Sequence, residues 1–419
     1  MVTISFCVTF AAAYIYNKVE MIGLRNLTTI FCITLALACA AQRRQIGDAR
    51  TILKSGKNLD KAEKLMTDLL KDSANQENTR IYDIWLQAVE MQYAQLNEKM
   101  YKKEQVDTVK LFSLTRRMFD VAERLDSIDM MPDKKGKVSP QYRKVNAERL
   151  AGYRPQLFYG GAHYVRKQDF KTAFDFFEKY IDCASQPLFE SQDLMNSDDR
   201  MGEAAYWASY CGYRMNDPVL TLRYHELARR DTTKMDFTLQ YAAESWRMLK
   251  DDMKYESVLW EGFRKSPQSN YFFPRLMDYY TSKGNYEQGL AIADEALQTD
   301  SLNELFLFAK STMLLNLGRY AECLDYSKRI IAQNDQMADA YYNAGTACLN
   351  IALRMDSRKH KKQIRKMYQQ ALPLMEKYRE LAPDQQEKWA PALYRIYFNL
   401  NMGKQFDEVD KLLKHVKVP

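Results

Sequence analysis

Along residues 283–300 and 317–335 the apolar positions recur at spacings of three and four, the period of one face of an α-helix. In KGNYEQGLAIADEALQTD the inward stripe runs Gly289, Ala293, Ala296, and in LGRYAECLDYSKRIIAQND it runs Cys323, Ser327, Ile330. The two segments repeat at a fixed interval: Gly284 and Gly318 are 34 residues apart, and so are Tyr286 and Tyr320. Each glycine supplies the permissive backbone that a helix C-terminus needs. Each tyrosine starts the next helix and packs back on the one before. Three residues later comes a crossing point that only a small side chain allows, and Gly289 and Cys323 stand there. The pattern predicts two helices joined by a tight turn, then the same pair again.

Other segments fit the template. ADAYYNAGTACLNIAL, from Ala338, predicts a first helix with Tyr341 and Gly345 inward. Its partner is displaced by a basic insertion and resumes as YQQALPLMEKYRELAP, with Ala371 at the small position and Pro383 twelve residues on. The last unit, WAPALYRIYFNLNMGKQFDEVDKLLKHV, puts Gly403 and Phe406 at the turn with one extra residue between them. Upstream the template falls on Tyr255, Val258 and Pro267, on Phe170, Ala173 and Phe177, and on Gly56, Leu59 and Ala62. Residues 78–150 are helical by periodicity, with helices longer than the unit and a poor match to it.

A 34-residue period with Gly-polar-Tyr at a turn and a small residue after it resembles the tetratricopeptide repeat. The resemblance implies an all-α, right-handed α-solenoid of about eight or nine helix-turn-helix units over most of residues 44–417. It also implies that the first helix of each pair lines a concave groove. Carried over by register, that groove holds Tyr271, Asp278 and Ser282, then Phe308, Thr312 and Asn316, then Tyr342, Thr346 and Asn350, with Tyr397 and Asn401 from the last unit. Asn316 and Asn350 share one repeat position. Their amides have two uses: bonding an extended peptide backbone, or satisfying carbonyls at the end of their own helix. The basic-and-Asn clamp of some relatives is not matched, because Pro274, Phe308 and Tyr342 stand where its Lys would be.

Composition agrees with helices: 15 Gly and 11 Pro in 419 residues are too few for strands and turns, and 28 Tyr suit the gaps between stacked helices. Length alone suggests roughly three domains, but a repeat array is continuous. The expected organisation is divergent units over 42–150, further units over 151–267, and the best-matching ones over 268–419.

Residues 21–41 resemble a secretory signal peptide, with Arg25 at the start, an apolar stretch from Leu27 to Leu37 and small residues before Gln42. The stretch is short for a transmembrane span. Residues 1–20 have no role before a complete signal, so they read as an extension upstream of a true start at Met21 rather than Met1. Cleavage before Ala41 or Gln42 discards Cys39. The alternative is a lipoprotein, acylated at Cys39, though Ala36 and Leu37 depart from that motif. Cys183, Cys211, Cys323 and Cys348 then remain, expected as free buried thiols, with a Cys323–Cys348 bridge as the exception to test.

The four histidines are scattered, and there is no phosphate loop, nucleophile elbow or CxxC motif. The Gly pair in YGGAHY, at 159–164, reads as a close-packing point in a helix, and Asp198-Asp199 and Asp251-Asp252 as solvated loop or capping residues. No catalytic, cofactor or metal site is expected. The net charge is +7, and its densest patch is Arg354, Arg358, Lys359, Lys361, Lys362, Arg365 and Lys366. That run reads as a solvated helix extension, or as a docking patch for an acidic partner, a lipid headgroup surface or an anionic glycan. Nucleic acid is disfavoured for want of a recognised module. The expected function is a non-enzymatic scaffold of the bacterial envelope, periplasmic or associated with the outer membrane, holding a protein or peptide partner. The alternative is a glycan- or nutrient-binding outer-membrane lipoprotein.

Overall fold

In the computed structural model, residues 41–415 are described. The extension 1–20, the signal-like stretch as far as residue 40 and Cys39 lie outside them. Among the described residues the regular elements are all helical, and the chain divides between Thr238 and Leu239 into two compact units.

The first unit begins with α1 (residues 41–55) and α2 (Leu59–Leu69), followed by α3 (Thr79–Tyr101) and α4 (Thr108–Asp129). At 23 and 22 residues these last two are the long helices expected between 78 and 150. A short α5 (Arg143–Ala151) precedes the pair α6 (Arg154–Arg166) and α7 (Phe170–Asp182). A connection containing the one-turn α8 (Leu194–Ser197) leads to α9 (Met201–Arg214), whose partner is broken into α10 (Pro218–Arg223) and α11 (His225–Ala228).

Regular pairs make up the second unit, whose first helix begins four residues before the division. They are α12 (Met235–Met248) with α13 (Asp252–Lys265), α14 (Phe272–Ser282) with α15 (Tyr286–Thr299), and α16 (Glu304–Asn316) with α17 (Tyr320–Gln333). Then come α18 (Ala338–Arg354) with α19 (Lys361–Leu381), and α20 (Gln386–Leu400) with α21 (Gly403–His415). The chain is thus an all-α repeat of nine helix pairs among the described residues.

Six of the nine pairs share one turn construction. Gly284 and Gly318 are left-handed, with φ of 69° and 73°. The residue after each donates its N–H to a carbonyl five positions back, Asn285 to Tyr280 at 2.9 Å and Arg319 to Leu314 at 2.9 Å, which closes the helix end as a Schellman motif. The same backbone recurs two residues before α7, α10, α13 and α21, at Gln168, Asn216, Lys250 and Asn401, with φ between 56° and 60°. The matching bonds are Asp169 to Tyr164, Asp217 to Gly212, Asp251 to Trp246 and Met402 to Tyr397. A side chain at positive φ is strained where glycine is not. In three of these four turns an aspartate follows and caps the next helix: Asp169 accepts from the Thr172 amide, Asp217 from Val219 and Leu220, Asp251 from Lys254.

This geometry corrects two registers. Gly403 is the first residue of α21, not its turn glycine; Asn401 holds the left-handed position, and Phe406 lies a turn inside the helix. Likewise Tyr255 lies one turn into α13, where it is buried with Leu259, Gly262 and Phe263, while Val258 is half-buried. In both cases an aromatic residue is three positions further along its helix than the template puts it.

Close crossings need small residues where expected. A Cβ on Gly289 would stand 2.6 Å from Met313 Sδ, and one on Gly345 would stand 2.7 Å from Met375 Cε. In the YGGAHY stretch, a Cβ on Gly160 would stand 2.8 Å from the Phe176 ring, and one on Gly161 would stand 2.6 Å from that of Phe177. The four cysteines Cys183, Cys211, Cys323 and Cys348 are free and buried, so Cys323 and Cys348 form no bridge.

The first unit carries partly buried polar networks. Glu63 accepts from Trp85 Nε1 (3.1 Å), Gln92 Nε2 (2.7 Å) and Arg117 (2.6 Å), joining α2, α3 and α4. Asp198 is not a solvated loop carboxylate. It pairs with the buried Arg154 guanidinium and accepts from Tyr180 Oη at 2.6 Å, fixing the connection after α7 onto α6 and α7. Burial alone would raise its carboxyl, but the bonds from Tyr180, Arg154 and the Arg200 amide hold it below the usual range.

Candidate functional site

The turns fix the register of the first helices. Counting back two, six and ten residues from the left-handed position, and carrying the 34-residue spacing into α18, gives Pro274, Asp278 and Ser282 on α14, then Phe308, Thr312 and Asn316 on α16. The same register gives Tyr342, Thr346 and Asn350 on α18, and Pro391, Arg395 and Asn399 on α20. Asp278, Ser282, Asn316, Arg395 and Asn399 are exposed, and Thr312, Thr346 and Asn350 are half-buried. Together they form a recurring polar row at one level of successive first helices.

Side chains tie these helices to one another beside that row. Asn343 of α18, itself buried, donates from Nδ2 to Ser311 Oγ at 2.9 Å and Thr312 Oγ1 at 3.1 Å on α16. Tyr271, just before α14, donates its hydroxyl to Glu244 of α12 at 2.7 Å, and Arg275 reaches the same carboxylate at 3.2 Å. Burial opposes ionisation of Glu244, yet the Tyr271 and Arg247 bonds and the two arginine charges hold its carboxyl below the ordinary value. Tyr271 is driven up by burial and by Glu244. Its hydroxyl is therefore committed within the protein, and Pro274 rather than Tyr271 stands at the level of the row.

The other expected residues differ in availability. Asn316 and Asn350 each donate from Nδ2 to the carbonyl four residues back, Thr312 at 2.8 Å and Thr346 at 3.0 Å, and Ser282 Oγ bonds the Tyr279 carbonyl at 2.8 Å. Phe308 is half-buried against the cluster of Leu307, Ile330 and Ala340. The Tyr342 ring lies 5.1 Å from that of Tyr378. Tyr397 is buried, with its hydroxyl 3.3 Å from Glu376, and burial and Glu376 push it up to about 12. Asn401 is a turn residue. In the last pair the register places Arg395 and Asn399, not Tyr397 and Asn401, on the row. Asn399 bonds the Arg395 carbonyl at 2.8 Å, as Asn316 does that of Thr312. An Asn two residues before the left-handed residue is the signal that could have found it.

The basic run is a structural extension. α18 and α19 have 17 and 21 residues, against 13 and 14 for α16 and α17. Arg354 folds back onto the preceding pair: it donates to the Gly318 carbonyl at 3.0 Å and lies 4.4 Å from the centre of the Tyr320 ring. Arg358, Lys359, Lys361, Lys362, Arg365 and Lys366 are exposed and make no ion pair among the described residues. Asp356, the acid within the run, accepts from the amides of Arg358 and Lys359 at 2.8 and 3.3 Å. Among the described residues no group of His, Cys, Asp and Glu is arranged to hold a metal ion, and no helix is long and apolar enough to cross a membrane.

No family model and no curated protein matches the chain. Similar solved structures include YrrB, described as a TPR protein with an unusual peptide-binding site, with 16% identity, 46% of this chain and 92% of that one covered, and a TM-score of 0.33. Yeast Tom70 shows 11% identity over 90% of this chain and 91% of its own, with a TM-score of 0.33. The apo form of RapI shows 12% identity over 90% of this chain and 100% of its own, with a TM-score of 0.31. The likeness is one of repeat fold alone. Identity and superposition are both low, so no residue role passes from these proteins to this chain.

Proposed function

We propose that the chain is a non-enzymatic protein-interaction scaffold that holds an extended protein or peptide segment against the first helices of residues 239–415. The observation that carries this reading is the polar row: Asp278 and Ser282, Thr312 and Asn316, Thr346 and Asn350, Arg395 and Asn399 recur in one register, none of them fully buried. The three asparagines of the row use their amide nitrogen within their own helix. The side-chain oxygen then remains an acceptor for a partner's backbone N–H. Burying a backbone requires such partners, and a row at constant register supplies them at regular steps.

The signal-like stretch before Gln42 supports placement in the bacterial envelope. Replacing Ser282, Asn316 and Asn399 together by Arg is expected to abolish capture of the native partner by a C-terminally tagged chain, with thermal unfolding unchanged. Undiminished capture would remove the row from the binding surface. Mass spectrometry of the same bait reads its first residue. A start at Ala41 or Gln42 fits a soluble exported scaffold, and an acylated Cys39 fits the nutrient-binding lipoprotein.

A further inference from the structure

We propose that the α18–α19 extension is a docking site for an acidic peptide segment, rich in Asp and Glu, of a partner protein. The polar row plays no part in it. Residues 354–366 carry seven Lys or Arg and one Asp, whereas the rest of residues 239–415 carries 18 basic and 22 acidic side chains. The second unit is therefore slightly acidic except at this one projection, where positive charge is concentrated. All seven cations are exposed without an ion pair among the described residues, and Arg354 alone is engaged, by the Gly318 carbonyl and the Tyr320 ring. Elsewhere in the unit, cations such as Lys283, Arg319 and Arg379 pair with Asp252, Glu322 and Glu408 at 2.7 Å. Lys361 and Arg365, and likewise Lys362 and Lys366, are like-charged pairs at i, i+4, which oppose the helix they lie on. The extension thus costs helix stability that an anionic partner would restore.

The shape of the surface favours a peptide over a lipid surface. Lys361, Lys362, Gln363, Arg365, Lys366 and Gln369 are all exposed and all polar, while Ile364 and Met367 pack inward against the cluster around Tyr368 and Ala371. An interfacial helix would instead present large apolar side chains on its exposed face. Arg354 also borders a recess lined by Gly318, Tyr320, Glu322, Ile351 and Met355, in which Glu322 is already paired with Arg319, and which suits one apolar side chain of a bound segment. Arg354 spans from the extension to the α16–α17 turn and forms one wall of that recess.

The test is fluorescence anisotropy of the full chain with a labelled ten-residue peptide of alternating Glu and Asp containing one central Leu. A Gln/Ser peptide of the same length serves as control, alongside phosphatidylcholine vesicles with and without phosphatidylglycerol. The acidic peptide is expected to bind, more weakly as salt rises, and the Lys361→Gln/Lys362→Gln/Arg365→Gln/Lys366→Gln variant to lose about tenfold or more in affinity. That variant should unfold at the same temperature or higher, since it relieves like-charge contacts. Lys404→Gln/Lys411→Gln, which removes exposed cations elsewhere, should bind as the natural chain does. Equal binding by the four-Gln variant, or binding to phosphatidylglycerol vesicles without binding to the peptide, would overturn the proposal.

Discussion

The turns before α7, α10 and α13 and the turns before α15 and α17 reach the same backbone by different chemistry. The latter two place Gly284 and Gly318 at the left-handed residue and follow it with Asn285 and Arg319, which make no side-chain cap. The former three place Gln168, Asn216 or Lys250 there and follow it with an aspartate whose carboxylate caps the next helix. Strain at one residue is offset by a cap at the next. The contrast extends to the ion pairs: Arg154 and Asp198 of the first unit are largely buried, whereas Lys283 and Asp252 of the second lie at the surface, and crossings over small residues occur in both. One turn geometry, and one helix pair, can thus be specified by unrelated residue types.

The largest expected effect comes from breaking the first unit's buried network. Asp198→Ala leaves the Arg154 guanidinium buried without its carboxylate and should cost about 3–5 kcal/mol in urea unfolding. Asp252→Ala, which removes the exposed partner of Lys283, should leave the urea midpoint unmoved. Equal effects would erase the distinction between the two regions.

Next in size are the crossings. Gly262→Ala would put a Cβ 2.2 Å from the Phe272 ring, and Gly212→Ala would put one 2.4 Å from the Thr221 backbone nitrogen. Each should cost about 1–3 kcal/mol, with the larger loss at Gly212 because backbone yields less than a side chain. A tolerated Gly212→Ala would mean that α9 and α10 do not approach so closely.

The turns provide a sharper contrast. Lys250→Gly should stabilise by about 1 kcal/mol and Gly284→Ala should destabilise by about as much, because the same left-handed residue is strained in one and relaxed in the other. Asp217→Ala should cost about 1 kcal/mol by removing a cap, whereas Arg319→Ala removes none. Thermal unfolding of the four variants checks the signs.

The smallest effect is one of pH. Burial raises the Glu123 carboxyl despite the opposing charge and bond of Lys179. The folded state therefore takes up a proton before the unfolded one does, so this group's contribution to stability grows as pH falls from neutral toward the ordinary glutamate range. Glu123→Gln should lose that share of the rise in melting temperature. An identical pH profile in both proteins would contradict the raised value.

These differences explain what is legible in the sequence. The helices of residues 268–335 can be read because Gly284 and Gly318 mark their turns and Gly289 and Cys323 mark their crossings. The pair α9 with α10 and α11 cannot, because its left-handed residue is Asn216 and its second helix breaks at Tyr224. Tyr255 and Phe406 mislead for a related reason. With no glycine two residues ahead of the helix, the nearest aromatic reads as the helix start, three residues late. Asp198 looks solvated in sequence because nothing local shows that Arg154, 44 positions away, comes to meet it. At the candidate site, the positions on α14, α16 and α18 follow from the period. That Tyr271 commits its hydroxyl to Glu244, and that Tyr397 is buried, depends on packing between repeats, which no spacing encodes.

A partner lying along the first helices of residues 239–415 is most directly detected by photocrosslinking in native cells. Benzoylphenylalanine would be placed singly at Ser282, Asn316 and Asn399, and at the exposed Lys328 and Gln298 on second helices. Adducts with one common partner from the first three positions and none from the last two are the predicted result. Adducts of equal yield from Lys328 and Gln298, or none from the row, would contradict it.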